Sequence, residues 1–254
     1  MQKNILIAGL WALGLLALAS FVPVWAAENE PVQYTPDFTY TPAVSAEPGS
    51  IDATFAVGNP NYHSAGKLMW FSYPPFNGLN DALKNDLCKI FSAKGFKVRG
   101  PFDSYDLIPY QDKKAIELYA VPSLELSLTA PDDVYSISDI KIEAAGKLTL
   151  ELRELQTKEL MWIKTVPIPK FVFTYVLEKI TWKDVLNSSQ VNNKKFKKTI
   201  GSLDIGKPNM PGLAKGLEQQ YPIVLDTLFK LIDPEEMLLL KKQVQELKQK
   251  SGKN

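Results

Sequence analysis

Asp81-Ala-Leu-Lys-Asn-Asp-Leu-Cys-Lys-Ile-Phe-Ser-Ala-Lys-Gly-Phe-Lys-Val98 is the stretch from which the rest of the chain can be placed. Leu79, Leu83, Leu87, Ile90 and Phe91 recur at helical spacing and form one apolar stripe. Asn80 offers a cap at the amino end, and Gly95 stands where a helix needs a left-handed exit residue. Phe96 and Val98 then alternate with Lys97 and Arg99, the period of a half-buried strand. Before the helix, Lys67-Leu-Met-Trp-Phe-Ser-Tyr73 reads as another strand, so the three segments predict a β-α-β unit.

Outward from that unit the signals alternate between strand and helix. Ile51 to Val57 reads as a short strand and Gly58-Asn-Pro60 as a turn. Ser104 can cap a short helix that runs to about Lys114. Ile116 to Leu128 alternates strongly, and Pro122 within it predicts a bulge or an edge position. Ile140-Lys-Ile142 and Lys147 to Arg153 alternate in the same way. Gln156-Thr-Lys158 turns the chain into Leu160–Val166, an antiparallel hairpin. Pro167 and Pro169 are expected to end that pairing before Phe171–Tyr175.

Lys183 to Gly212 is irregular and polar. From Leu213 the helical period returns, with Pro222 predicting a kink or a second start. Asp233-Pro-Glu-Glu236 combines a cap, a first-turn proline and a glutamate at the third position, a strong helix start. Met237, Leu240, Val244 and Leu247 follow at seam spacing and are expected to pack back on the domain. The predicted fold is α+β, one mainly antiparallel sheet nucleated by the β-α-β unit, with C-terminal helices packed on it.

Lys3 is the one charge before Glu28, Ile5–Val22 is almost wholly apolar, and Val24-Trp-Ala26 presents small residues at the positions a signal peptidase reads. Residues 1–26 therefore read as a signal peptide, with a retained membrane anchor as the alternative. Residues 27–50 carry Pro31, Pro36, Pro42 and Pro48 and the echo Tyr34-Thr-Pro36, Tyr40-Thr-Pro42, and read as an extended arm. Its Tyr34, Phe38 and Tyr40 are expected along a groove of the domain or of a partner. Residues 51–232 form the α+β domain and 233–254 a lysine-rich C-terminal helix.

Without Lys3 the chain has 28 basic against 28 acidic residues, so no long-range field draws it to nucleic acid or anionic lipid. A single cysteine, Cys88, excludes an internal disulfide and reads as a small packed residue. His63 is the lone histidine, which excludes a His-rich metal site and leaves a catalytic triad only one place to form. No glycine-rich phosphate loop is present, and no cofactor is expected. Glu125, Glu143 and Glu151 read as the solvated side of alternating strands. Trp70, Trp162 and Trp182 could stack on a sugar but fit a core better. The tract Asn193-Lys-Lys-Phe-Lys-Lys198 gathers Lys194, Lys195, Lys197 and Lys198, a basic run able to meet an acidic glycan or to stand as a solvated loop.

Asn61-Tyr-His63, the Lys67–Tyr73 strand, Pro75-Phe76, Ala93-Lys-Gly-Phe-Lys-Val98, and the hairpin from Gly146-Lys-Leu-Thr-Leu-Glu to Lys158-Glu-Leu160 occur in that order. Together, over about residues 55–250, they resemble the neuraminyllactose-binding hemagglutinin family of bacterial envelope proteins. The resemblance implies a non-catalytic exported protein, in the periplasm or at the outer membrane of a Gram-negative bacterium, with sialylated glycans as ligand. No integral membrane span is expected once the signal is removed. The chain departs from the family at two points. No cysteine stands at the signal cleavage site, so no lipid anchor is expected there. Where the family carries its lysine- and arginine-rich run, this chain has Pro131-Asp-Asp-Val-Tyr-Ser-Ile-Ser138, whose Asp132 and Asp133 repel a carboxylate. The four lysines of 194–198 are the physical substitute. The rival reading is a structural or assembly component of the envelope, meeting another protein through the 27–50 arm or the C-terminal helix.

Overall fold

The computed structural model describes residues 34–64, 76, 78–129, 139–176 and 211–251. Among the described residues, six strands of one sheet and four α-helices follow the order β1 (Ile51–Val57), β2 (Asn61–Ser64), α1 (Leu79–Ala93), β3 (Phe96–Arg99), α2 (Tyr110–Ala115), β4 (Leu118–Thr129), β5 (Asp139–Glu154), β6 (Leu160–Val176), α3 (Pro211–Leu231) and α4 (Pro234–Ser251). The strands line up as β3-β1-β4-β5-β6, with β2 also on β4. Pairs among β1, β2, β3 and β4 are parallel, whereas β4-β5-β6 is a long antiparallel meander. The fold is α+β, as expected. The β-α-β unit is also present, formed by β1, α1 and β3; Lys67–Tyr73 lies outside the described residues.

The stripe of α1 buries Leu79, Leu83, Leu87, Ile90 and Phe91. Phe91 stacks on Phe55 at 4.5 Å between ring centres, and Phe96 tilts against Phe55 at 4.8 Å. Helix, central strand and returning strand thus share one aromatic cluster, worth about 0.5–1.5 kcal/mol per ring pair beyond burial. Gly95 has φ +92°, and a Cβ there would lie 2.9 Å from both the Ala46 methyl and Ser50 Oγ, so only glycine fits. The amino end differs from the reading. Gly78 occupies the cap position without a side-chain bond. Asn80 lies inside the first turn, where its Oδ1 accepts from Tyr62 Oη at 3.1 Å.

The segment after β3 does not make one helix from Ser104. A 3-10 turn covers Tyr105–Leu107, Ser104 makes no capping bond, and α2 starts separately after Pro109. Pro109, with no N–H and an extended backbone, separates the two turns. This segment closes the second face of β1 with a small cluster of Ala56, Ile108, Ile116, Tyr119 and Leu155. β1 is therefore buried on both faces from Ala53 to Val57, whereas β2 and β3 beside it keep His63, Lys97 and Arg99 exposed.

The prolines of the sheet correct two expectations. Pro122 is neither at a bulge nor on an edge strand: it pairs with Leu150 in β4, which has neighbours on both sides. It sits where β4 changes partner, between Ala120 against β1 and Ser123 against β2, so on that side no ladder bond is lost. Pro167 and Pro169 do not end the hairpin. β6 runs through them, with Pro167 opposite Lys147. Two residues apart on the last strand of the order, they turn the same way, and an outward position needs no N–H. Pro222 lies inside a continuous α3.

α4 begins as expected, with Glu235 N–H donating to Asp233 Oδ1 at 2.9 Å. Met237, Leu240 and Val244 are buried in the main core, so the seam does close on its own domain. Lys241 fastens it by pairing with Asp52 at 2.9 Å and Glu117 at 3.4 Å.

Candidate functional site

Two places gather tyrosines with charged partners. The first is buried. Asp86 on α1 is 2% exposed; its Oδ2 accepts from Tyr221 Oη of α3 at 2.9 Å and its Oδ1 from Lys89 at 2.7 Å. Phe38 of the preceding extended segment stands edge-on to Tyr221 at 5.5 Å. Burial first, and then the charge of and bond to Asp226, push the Tyr40 phenol up to about 12. Burial and the neighbouring Asp86 raise Tyr221 further. Beside this joint lies an apolar cavity of about 30 Å³, lined among others by Phe38, Leu83, Leu217 and Gln220. That volume admits only one or two water-sized atoms, too little for a sugar or an acyl chain. With its hydroxyls committed to carboxylates and its phenols held neutral, the joint is built to hold α1, α3 and the arm together.

The second place is open. Tyr105, half-buried in the 3-10 turn and edge-on to Tyr119 at 6.2 Å, carries two ammonium groups over its ring. Lys113 of α2 lies 4.6 Å from the ring centre and Lys158 of the β5–β6 turn 4.4 Å. One residue on, Lys114 lies 4.6 Å from the ring of Tyr110, its neighbour one helical turn back. Tyr110 is 73% exposed and Leu107 66%. Each ring contact is worth only about 0.5–1 kcal/mol. Lys113, Lys114 and Lys158 have no carboxylate partner among the described residues, and the nearby Asp112 is engaged by Arg99 at 3.9 Å. Lys158 also has φ +61°, a backbone where glycine or asparagine is cheaper. Three uncommitted cations beside exposed apolar ring surface can hold an anionic group and, next to it, an apolar face.

The residues singled out beforehand are distributed differently. Lys194, Lys195, Lys197 and Lys198 lie outside the described residues, as do Trp70, Trp182 and the Asp132–Asp133 pair. Trp162 is in the core. His63 is exposed on β2 opposite Glu125, and Cys88 packs against the core with burial pushing its thiol up to about 11, the opposite of an activated nucleophile. Glu125, Glu143 and Glu151 form the solvated face, paired with Lys147, Lys170 and Arg153 at 3.0, 2.8 and 2.6 Å. The open site was missed because Tyr105, Lys113 and Lys158 come from three elements. Two local signals were available: Tyr110 and Lys114 at i, i+4, and a lysine where the turn Gln156-Thr-Lys158 calls for glycine.

No family model and no curated protein matches the chain. Among solved structures it is similar to the neuraminyllactose-binding hemagglutinin homolog from Helicobacter pylori, with a TM-score of 0.54 and 16% identity over 84% of this chain and 99% of that one. It also aligns with a DUF330 protein from Xanthomonas campestris at TM-score 0.36 and 12% identity, covering 84% of this chain and 98% of that one. The LpoB C-terminal domain from Salmonella enterica aligns at TM-score 0.27 and 15% identity, covering 50% and 87%. The first likeness is one of fold; the other two superpose too loosely to carry an argument. No helix among the described residues is long and apolar enough to cross a membrane.

Proposed function

We propose that this protein is a non-catalytic, exported envelope protein that binds acidic, sialylated glycans through the Tyr105–Tyr110 platform. The observation that carries the reading is the set of three uncommitted lysines held over two tyrosine rings beside exposed apolar surface. A sialylated sugar offers both halves of the complement, a carboxylate for the ammonium groups and a C–H face for a ring. The apolar run and small-residue exit of residues 1–26 support export, and the fold shared with the hemagglutinin homolog agrees with an envelope role. Lys194, Lys195, Lys197 and Lys198 provide a second basic contact in this reading.

The test is a ligand-observed NMR titration with sialyllactose against plain lactose at two salt concentrations. Selective, salt-sensitive binding of sialyllactose is expected. Equal or absent binding of the two sugars would remove the glycan reading and favour an assembly role.

A further inference from the structure

Residues 34–42 form an extended strap whose even-numbered residues Tyr34, Pro36, Phe38, Tyr40 and Pro42 face the domain while Thr35, Asp37, Thr39 and Thr41 are exposed. Among the described residues the strap pairs with no strand, and two of its backbone N–H groups are bonded: Asp37 N–H donates to Glu218 Oε1 at 2.7 Å and Thr39 N–H to the Asp37 carbonyl within the strap at 3.1 Å. Its attachment is otherwise through side chains. Tyr34 Oη donates to Glu218, Tyr40 bonds to Asp226, and Phe38 lies edge-on to Tyr221 between them. The two Tyr-Thr-Pro repeats thus bring each tyrosine to one acid of α3, about two turns apart, with an aromatic slot in the middle. This is how a groove reads a peptide, by alternate side chains in pockets.

We propose that the groove between α1 and α3 is a recognition site for the Tyr-Thr-Pro-x-x-x-Tyr-Thr-Pro segment itself, and that a second copy of the chain can supply it, so that two copies pair by exchanging straps. The occupant is specified by the groove: two carboxylates spaced for two tyrosine hydroxyls, and a slot filled by a phenyl ring. With so few backbone bonds the strap opens without unfolding the sheet. Tethering gives its own strap a high effective concentration, so exchange takes over only where copies are crowded.

The full chain carrying Phe38→Ala, which weakens its own strap but leaves the groove intact, is titrated with a labelled wild-type peptide of residues 33–43. Binding at least ten-fold tighter than to the wild-type chain is expected, and adding Glu218→Gln should remove it. The wild-type chain at millimolar concentration should sediment partly as a dimer that excess peptide dissociates. A folded Phe38→Ala chain that binds the peptide no better than wild type overturns the recognition site. Peptide binding with a strictly monomeric wild-type chain overturns the exchange. Should Phe38→Ala not fold, Tyr34→Phe, which deletes one hydroxyl, gives the same comparison with an expected gain of a few-fold.

Discussion

The strap joint and the lysine platform are made of the same residue types and are opposites in how those residues are satisfied. At the joint, tyrosine hydroxyls donate to carboxylates, and Asp86 accepts on both oxygens in the interior. At the platform, tyrosine rings rather than hydroxyls meet the charges, and the lysine ammonium groups keep their donor capacity facing solvent. With its own strap seated, the tyrosines and carboxylates of the joint complete one another and leave no bonding capacity for a further ligand. A cluster whose members are positioned yet incomplete keeps that capacity. The difference between scaffold and candidate site therefore lies in saturation rather than in composition.

The largest effect should come from breaking the joint. Asp86→Ala leaves the Tyr221 hydroxyl buried without an acceptor and is expected to cost about 3 kcal/mol, read as a lower midpoint in urea unfolding. Glycan affinity of the molecules still folded should not change. On the platform the order reverses. Lys158→Gly relieves a left-handed backbone and forfeits one ring contact, so stability should stay within about 1 kcal/mol. Sialyllactose affinity should fall by about two- to five-fold, the worth of one exposed charge contact of about 0.5–1 kcal/mol. A change in stability without a change in affinity would assign Lys158 to the turn alone.

The pH response sharpens the contrast. Tyr40 is raised to about 12 in the folded chain, so its contribution is present below the ordinary phenol value near 10 and is lost as pH rises from about 10 to about 12. Tyr40→Phe should flatten the alkaline limb of the stability curve, measured by denaturant midpoints between pH 9 and 12. The smallest effect should be at the α4 anchor. Bonds from Lys97 and Lys241 hold Asp52 down at about 2, so that contribution is present above about pH 4 and fades as pH falls toward 2. Asp52→Asn should remove that slight acid dependence and leave glycan binding alone.

Much of the fold was legible because local rules and packing agreed. The α1 stripe, the Gly95 exit, the hairpin at Gln156–Lys158 and the Asp233 cap each satisfy their own backbone and the core together. The prolines misled for one reason: a missing N–H is costly only where the neighbouring strand needs it, and topology decides that. Pro122 sits where β4 changes partner and Pro167 on the last strand. The aromatic arm announced a groove without saying whose, since an extended chain docked by side chains leaves no hydrogen-bond pattern in sequence. The platform was hardest, for Tyr105 and Lys158 are 53 residues apart and meet only because the long hairpin carries its turn to the 3-10 segment.

The most direct measurement sets the two basic sites against each other: sialyllactose affinity of a Lys113→Ser, Lys114→Ser, Lys158→Ser chain and of a chain with Lys194, Lys195, Lys197 and Lys198 all replaced by serine. The platform variant is expected to lose most of the binding while unfolding at the wild-type midpoint to within about 1 kcal/mol. Wild-type affinity in the platform variant would contradict the assignment.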